Sequence, residues 1–295
     1  VNFGDVLARN FKAVSPSEFS MPAPLWLPTR LVFGINKPRI NILGNEFAGT
    51  IEAIGTDVTA FKVGDDAVGY RGPDMGANVE YLCMPQDGMI AHKPSNMSYN
   101  ESASVPYGAM TALNLLQKVD IQRGQKVLIN GASGGIGSYA LQLAKHYGTE
   151  VTGVCGTHRV EMVKALGADK VIDYTQEDFT QNGETYDLIF DVIRKTSFED
   201  CKSSLTENGR YLLASFKMKQ LFQMLWTTRN TSKKVICALS SETPRDLLAI
   251  KDLVEAGVIT TVVDKCYPME QMAEAHRYME SGQRRGHVSI TVGEA

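Results

Sequence analysis

The glycine-rich segment Gly131–Gly137 is the part of the sequence best suited to hold a charged ligand. It follows the apolar run Val127–Ile129 and precedes Ser138–Gly148, in which apolar residues recur at helical spacing. A helix N-terminus carries unpaired N–H groups and a partial positive charge, and glycines let a pyrophosphate approach the backbone. The order of strand, glycine turn and helix therefore predicts a dinucleotide-binding turn. The alternative is a turn of the same kind that holds no ligand.

The spacing within this turn matches the dinucleotide fingerprint, with Ala132 in the place of its first glycine and with Gly134 and Gly137 in the other two. A glycine run by itself would be a weak signal, but the flanking strand and helix supply the context that the fingerprint requires. We therefore predict that the cofactor is held by Ala132, Ser133, Gly134, Gly135, Ile136 and Gly137.

The next predicted strand, at 150–155, indicates which dinucleotide is bound. NAD-specific sites usually place an acidic residue near the end of this strand, where it holds the ribose 2′-hydroxyl. Here the strand is followed by Gly-Thr-His-Arg, so no carboxylate stands there to repel a 2′-phosphate. Thr157 and Arg159 can instead donate hydrogen bonds to that phosphate, which predicts NADP(H). The alternative is that Thr157 only caps the following helix and that Arg159 points to solvent.

Composition sets broad limits on the class of protein. A chain of 295 residues has room for two domains. Its net charge of −3 gives no sign of general nucleic-acid binding, and no apolar run approaches the roughly 18 residues of a membrane span. The five cysteines are widely spaced without a Cys-x-x-Cys pair, which is typical of reduced thiols. We expect a cytoplasmic protein.

Hydrophobic patterning changes near residue 104. The earlier part has short apolar runs between turns and predicts strands at 47–54, 67–70 and 79–84. Its first residues, 1–5, are typical of the end of a strand already under way, so we expect residues to precede Val1. A long insertion at 11–40 is predicted to contain a short helix at 25–33 and to serve as a lid or binding segment.

From residue 104 onward, helices and strands alternate, which predicts a doubly wound, mostly parallel sheet. Predicted strands lie at 126–130, 150–155, 170–172, 186–191, 209–214 and 234–239. Predicted helices lie at 108–118, 138–147, 158–166, 197–205 and 217–226. The last part of the chain predicts helix 244–256, strand 260–264, helix 268–281 and strand 287–292.

Several strings occur together in one order along almost the whole chain. They are Gly44–Gly49, Phe61–Asp66, Val105–Leu113, the glycine turn, Leu166–Tyr174 and Gly282–Val288. As a set they resemble the medium-chain dehydrogenase/reductase superfamily, and most closely its zinc-independent quinone oxidoreductase branch, which includes zeta-crystallin.

The resemblance implies an α/β protein with a GroES-like β-rich catalytic domain and a Rossmann domain with a doubly wound parallel sheet. The catalytic domain would comprise residues 1–103 and 241–295, and the NADP-binding domain residues 104–240, with the active site in the cleft between them. It further implies reduction of a quinone or an α,β-unsaturated carbonyl by NADPH, and a homodimer, for which the last Rossmann strand is the expected pairing edge.

The resemblance also assigns site residues. Asn2 would donate from its amide to the substrate or the nicotinamide ribose, and Tyr107 would donate a proton or line the quinone pocket. The alternatives are a structural turn asparagine and a tyrosine that packs at the domain junction. Asp5 and Arg9, four residues apart, would pair on one helix face. Further cofactor contacts are predicted at Thr111, Tyr174, Asp191 and Ser215.

Zinc-dependent relatives have Gly-His-Glu where this chain has Gly-Asn45-Glu46, and they have a cysteine where this chain has Asn2. Between residues 66 and 103 the only cysteine is Cys83, so the four cysteines of a structural zinc site are missing. No metal site is therefore predicted. Without zinc, hydrogen-bond donors must meet the negative charge that builds on the substrate oxygen.

Two further departures concern the cofactor. Arg194 replaces a family glycine and could contact a cofactor phosphate or partly block the cleft. His287 replaces a lysine and could weaken a phosphate contact. Two other functions stay open at this point: a carbonyl or alcohol reductase of the same superfamily, and a nonenzymatic NADPH-binding protein.

Overall fold

The structure is a computed structural model that describes residues 1–10, 19, 22–35 and 39–293. Helices α1 to α10 of this part of the chain are Phe3–Asn10, Trp26–Phe33, Tyr99–Ser102, Pro106–Gln117, Gly137–His146, Val160–Ala165, Phe198–Cys201, Met218–Asn230, Pro244–Glu255 and Met272–Glu280. Strands β1 to β11 are Glu46–Thr50, Asp66–Tyr70, Ile90–His92, Lys126–Asn130, Glu150–Cys155, Lys170–Asp173, Tyr186–Asp191, Leu205–Leu213, Lys234–Cys237, Val263–Pro268 and His287–Thr291. None of the described helices is long and apolar enough to cross a membrane.

The chain divides into two compact units. One lies within Val1–Val14, Arg30–Met110 and Glu242–Ala295, and the other within Ser15–Thr29 and Thr111–Ser241. The units divide at Met110/Thr111 and Ser241/Glu242. The domain limits that the resemblance implies, at 103/104 and 240/241, stay a prediction.

The second unit contains a parallel sheet of six strands in the order β6-β5-β4-β7-β8-β9. This is the doubly wound order. Its switch point lies between β4 and β7, which pair with each other and end at the paired residues Asn130 and Asp191. Apolar strands of this kind are buried on both faces, as Leu128, Ile129 and Ile189 are here. The prediction of a doubly wound sheet is confirmed, and the six strands occur in the predicted places.

One predicted helix of this unit is too long. The sequence predicts a helix at 197–205, but α7 ends at Cys201, after a start that Ser197 and Asp200 cap reciprocally. Leu205 already pairs with Tyr186, and a register shift follows before the regular ladder of β8. Leu205 is buried in the core, so burial in the sheet overrides the helical pattern.

The last strand of the sheet, β9, does not present an open edge. The N–H groups of Val235 and Cys237 donate to Thr227 Oγ1 at 3.1 Å and to Met224 Sδ at 3.4 Å, both in α8. The expected pairing edge for a homodimer is therefore covered by a helix of its own chain. Strand pairing of two copies through β9 would require α8 to move away.

The first unit contains an antiparallel sheet in the order β1-β2-β3 and a parallel pair of β10 and β11. The predicted strand at 79–84 is wrong, because Ile90–His92 takes the place beside β2. The predicted strand at 260–264 is shifted to Val263–Pro268. Pro268 pairs with Thr291 at the end of this strand, and α10 begins only after the 3-10 turn Met269–Gln271.

The predicted strand at residues 1–5 is also wrong, because these residues start helix α1. The Asn2 Oδ1 atom accepts hydrogen bonds from the N–H groups of Gly4 and Asp5, and Asp5 Oδ2 accepts one from the Asn2 N–H. This reciprocal pattern is that of a capping box. The predicted short helix at 25–33 is confirmed by α2, whereas residues 11–18, 20–21 and 36–38 of the insertion lie outside the described residues.

Candidate functional site

The glycine turn between β4 and α5 requires small residues. A Cβ atom on Gly137 would lie 2.1 Å from the carbonyl oxygen of Gly131, so no larger residue fits there without moving the backbone. Gly131 has a φ of 92°, in the left-handed region that glycine favours. Ala132 is completely buried, and its N–H donates to the Val154 carbonyl in β5. The turn is thus fixed against the sheet.

The start of α5 offers polar groups for an anion. Ser138 lies in its first turn and is buried, and its Oγ atom has no hydrogen-bond partner in the described part of the chain. Partly exposed residues line the turn in front of it: Ser133, Gly134, Gly135 and Ile136. A helix N-terminus behind a tight glycine turn fits the pyrophosphate of a dinucleotide.

The Thr157 side chain does not cap the helix that follows β5, which was the alternative to a phosphate contact. It lies in the 3-10 turn Thr157–Arg159, which has no side-chain cap. Its hydroxyl lies 2.9 Å from the Thr175 hydroxyl, which donates to Asp173 Oδ1 at 2.8 Å. The Thr157 hydroxyl is therefore engaged with Thr175 and with the neighbouring Asp173 carboxylate.

Asp173 is a residue that the sequence reasoning missed. It ends β6, where it pairs with Cys155 at the end of the neighbouring strand β5. A hydrogen bond from Thr157 is the main cause that lowers the pKa of Asp173, so its carboxylate is ionised at neutral pH. The pairing of β6 with β5 brings this carboxylate to the same end of the sheet, which the order of residues along the chain does not reveal.

Tyr174 and Arg159 lie at the same end of the sheet. The Tyr174 hydroxyl is 3.3 Å from where a Cβ atom on Gly156 would stand, and the side chain is 60% exposed. Burial raises the pKa of Cys155 to about 11, and the positive charge of Arg159 partly opposes this rise. Arg159 is therefore close to the end of β5. A phenol and a guanidinium therefore stand beside the end of β5, both able to donate hydrogen bonds.

Asp191 has a different role from the cofactor contact that the sequence suggested. It is completely buried, and both carboxylate oxygens accept hydrogen bonds from the protein. Oδ1 accepts from the N–H of Arg194 at 2.8 Å, and Oδ2 accepts from the Tyr211 hydroxyl at 2.8 Å. Asp191 therefore holds the loop that follows β7. Ser215, two residues after β8, is partly buried, and Thr111 in α4 is buried.

In the first unit, Asn2 is at the centre of a polar group that we call the Asn2 cluster: Asn2, Asn45, Glu46, Tyr70 and Tyr107. The Asn2 Nδ2 atom donates to Asn45 Oδ1 and to Glu46 Oε2, both at 2.7 Å. An amide nitrogen has two protons, so neither remains for a substrate. The expected donation from Asn2 to substrate or ribose is therefore not supported, and Asn2 positions its neighbours.

Glu46 is the second residue that the sequence reasoning missed. Its Oε1 atom accepts a hydrogen bond of 2.8 Å from the N–H of Tyr107, at the N-terminus of α4. Burial raises the pKa of Glu46 to about 7, against the lowering effect of the hydrogen bonds from Asn2 and Tyr107. The carboxylate thus connects Asn2 to the first turn of α4, where a negative charge is favourable.

Tyr107 and Tyr70 have ring centres 6.0 Å apart. Burial raises the pKa of both phenols, that of Tyr107 to about 12, and the nearby Glu242 carboxylate adds to the effect. Both hydroxyls therefore keep their protons at neutral pH and remain hydrogen-bond donors. Within the described residues neither hydroxyl has a hydrogen bond to the protein, so Tyr107 can serve as the predicted donor.

A catalytic zinc ion does not fit this cluster. Asn45 stands where zinc-dependent relatives have histidine, and its amide oxygen is engaged by Asn2. No group of three or more His, Cys, Asp or Glu side chains in the described chain is arranged to hold a metal ion. Carboxamides are poor ligands for zinc, which prefers thiolate and imidazole.

Two other predicted features take a different form. Asp5 and Arg9 do not pair: Asp5 is buried and binds the N–H groups of Asn2 and Gly44, whereas Arg9 forms an ion pair with Glu280 at 2.5 Å. Burial and the nearby Arg284 lower the pKa of His287 to about 3. Its imidazole is neutral at physiological pH, so it carries no charge for a phosphate.

Comparison with known proteins agrees with this architecture. The model of the alcohol dehydrogenase GroES-like domain matches residues 13–95, and that of the zinc-binding dehydrogenase family matches residues 166–288. The mitochondrial NAD(P)H oxidoreductase RTN4IP1 of Bos taurus is 30% identical over 280 residues, which cover 85% of this chain and 70% of the relative. The chain belongs to the medium-chain dehydrogenase/reductase superfamily.

Within the superfamily, the similarity is to the quinone oxidoreductase branch. A solved quinone oxidoreductase from Coxiella burnetii has a TM-score of 0.81 and 25% identity, covering 99% of this chain and 87% of that one. The chloroplastic NADPH-dependent alkenal/one oxidoreductase of Arabidopsis thaliana is 27% identical, covering 86% of this chain and 65% of the relative. This superfamily member is thus an oxidoreductase that uses a nicotinamide cofactor and a small-molecule substrate.

Proposed function

We propose that the protein is an NADPH-dependent reductase of quinones or α,β-unsaturated carbonyl compounds that works without a catalytic zinc ion. The observation that carries this proposal is the hydrogen-bonded chain Asn45–Asn2–Glu46–Tyr107. Asn2 and Asn45 stand where the resemblance gives zinc-dependent relatives their ligands, and Glu46 holds the backbone N–H of Tyr107, whose phenol stays protonated. The similarity to a quinone oxidoreductase and to an alkenal/one oxidoreductase supports the substrate class.

The bound reduced nicotinamide would supply the hydride, while the protein supplies orientation and charge stabilisation. When a hydride reaches the acceptor, negative charge builds on the acceptor oxygen. Tyr107 donates a hydrogen bond to that oxygen from its hydroxyl. Asn2 and Glu46 act on Tyr107 through the backbone at the start of α4, so they are positioning residues.

The preference for NADPH rests on donors at the adenosine end of the site. Arg159 offers a charge-assisted hydrogen bond to a 2′-phosphate, and Tyr174 offers its hydroxyl. Thr157 contributes less than the sequence suggested, because its hydroxyl is already engaged with Thr175 and Asp173. The Asp173 carboxylate opposes the phosphate, so the preference is a balance between Arg159 and Asp173.

Steady-state kinetics with both cofactors tests this balance. We expect R159Q to lower kcat/KM for NADPH by about tenfold, because one charge-assisted hydrogen bond is lost, and to leave kcat/KM for NADH unchanged. D173N should change the ratio of the two values in the opposite direction. Equal use of NADH and NADPH by the wild type, or no change in the ratio in either variant, would contradict the NADPH assignment.

The homodimer and the cytoplasmic localisation remain predictions. The covered edge of β9 gives no support to strand pairing as the mode of association. The matched relatives include mitochondrial and chloroplastic proteins, so their names do not favour one compartment.

A further inference from the structure

The loop after β7 is held firmly against the glycine turn. The N–H of Val192 donates to the Asn130 carbonyl at the end of β4, at 3.1 Å. The side chain of Ile193 lies 2.7 Å from where a Cβ atom on Gly131 would stand. With Asp191 holding the N–H groups of Ile193 and Arg194, the loop is fixed at the carboxyl end of the sheet, beside the predicted pyrophosphate site.

Arg194 stands in this loop at an unfavourable backbone position. Its φ of 51° lies in the left-handed region, which a non-glycine side chain rarely adopts. Glycine would fit this position without strain, as the family pattern has it. A strained arginine beside a ligand site indicates that the side chain has a use there that offsets the strain.

The guanidinium of Arg194 is also incompletely bonded. Its Nη1 atom is buried and has no hydrogen-bond partner within the described part of the chain. A buried cationic N–H group without an acceptor is costly, because it loses its hydration and gains nothing in return. An anion that bound there would supply the missing acceptor, and the low local dielectric would strengthen the contact.

We propose that Arg194 binds the pyrophosphate of the dinucleotide and is thus a further cofactor-binding residue. The inference rests on the proposed use of a nicotinamide dinucleotide. The pyrophosphate is the anion that the neighbouring glycine turn and the start of α5 are suited to hold. A planar guanidinium matches two phosphate oxygens at once, so an arginine here adds to the backbone contacts of the turn.

The test compares R194Q and R194K with K195Q, which removes the exposed charge next in the chain. Dissociation constants are measured by protein fluorescence for NADPH, NADH and adenosine 2′-monophosphate, which carries no pyrophosphate. R194Q should weaken both dinucleotides by about tenfold and leave adenosine 2′-monophosphate unchanged. R194K should lie between R194Q and the wild type, and K195Q should bind all three as the wild type does.

A second readout does not depend on activity. Without ligand, R194Q and R194G should melt at the wild-type temperature or above it, since each removes the unpartnered buried N–H group and R194G also relieves the left-handed backbone. Saturating NADPH should then raise the Tm of both variants less than that of the wild type.

The inference is overturned if R194Q binds both dinucleotides as tightly as the wild type. It is also overturned if adenosine 2′-monophosphate is weakened equally, because Arg194 would then act at the adenosine end. If wild type bound NADH as tightly as NADPH, and R194Q still weakened the binding of NADH, only the proposed choice of NADPH would be refuted. Failure of wild-type protein to bind either dinucleotide would refute the proposed function itself.

Discussion

Glu46 joins the two residues that the sequence predicts to be catalytic. Its carboxylate accepts one hydrogen bond from the Asn2 amide and one from the backbone N–H of Tyr107. The three residues are therefore linked by hydrogen bonds. The sequence indicates Asn2 as a candidate from the family pattern and Tyr107 from its position before the helix that follows. It could not reveal that both Asn2 protons are engaged, because that depends on how α1 and β1 come together.

The raised pKa of Glu46 makes stability depend on pH. Its ordinary pKa of 4.5 rises to about 7 on folding, so the folded state favours the protonated form. The associated stability is present below pH 4.5 and is lost as the pH rises through 7. The free energy of unfolding of wild type should therefore fall by up to about 3 kcal/mol, relative to that of E46Q, as the pH rises from 4.5 to 7.

Urea unfolding of both proteins across that pH range measures the difference. The exposed E52Q is the control for loss of a carboxylate at the surface. A constant difference between wild type and E46Q from pH 4.5 to 7 would show that Glu46 is not held in the way described.

Tyr107 is the proposed donor to the acceptor oxygen. Replacing it by phenylalanine removes the hydroxyl and keeps the ring contact with Tyr70. Because one donor to a developing oxyanion contributes about 100-fold, Y107F should lower kcat with a quinone by about that factor, while the dissociation constant of NADPH stays unchanged. Single-turnover kinetics with preformed NADPH complex measures the step directly.

Y70F is the matched control, since it removes the neighbouring hydroxyl. If Y70F lost activity and Y107F kept it, Tyr70 would be the donor and the assignment of Tyr107 would be wrong.

At the scale of elements, the glycine turn has a strict steric requirement. A Cβ atom on Gly137 would stand 2.1 Å from the Gly131 oxygen, whereas one on Gly134 would stand 3.2 Å from the same atom. G137A should therefore destabilise the fold by about 1–3 kcal/mol and abolish measurable NADPH binding, whereas G134A should do less of both. Thermal unfolding and NADPH titration compare the variants, and equal behaviour of G137A and wild type would contradict the described geometry.

The elements of the second unit could be predicted from sequence because a parallel sheet buried on both faces has continuous apolar strands. The end of α7 could not, since Leu205 is drawn into the sheet by a long-range pairing with Tyr186. In the first unit, short strands on irregular loops leave a weak pattern. There the apolar run at 79–84 is not a strand, and the three-residue strand β3 is too short to give a recognisable pattern.

At the scale of the whole molecule, the chain combines a GroES-like unit with a Rossmann unit, each carrying one half of the proposed chemistry. The second unit has the dinucleotide turn, and the first has the Asn2 cluster. Family resemblance supplied the order of these parts along the chain. The composition, by contrast, indicated only a two-domain protein of ordinary charge.

The central claim is that this chain reduces quinones or activated alkenes with NADPH and without zinc. Oxidation of NADPH, followed by its absorbance, is measured with a naphthoquinone and with a short enone, using protein dialysed against EDTA. We expect turnover with at least one acceptor, undiminished by EDTA and not increased by added zinc, with NADH a poorer donor. Confirmed NADPH binding without turnover of either acceptor, or turnover that requires zinc, would contradict the claim.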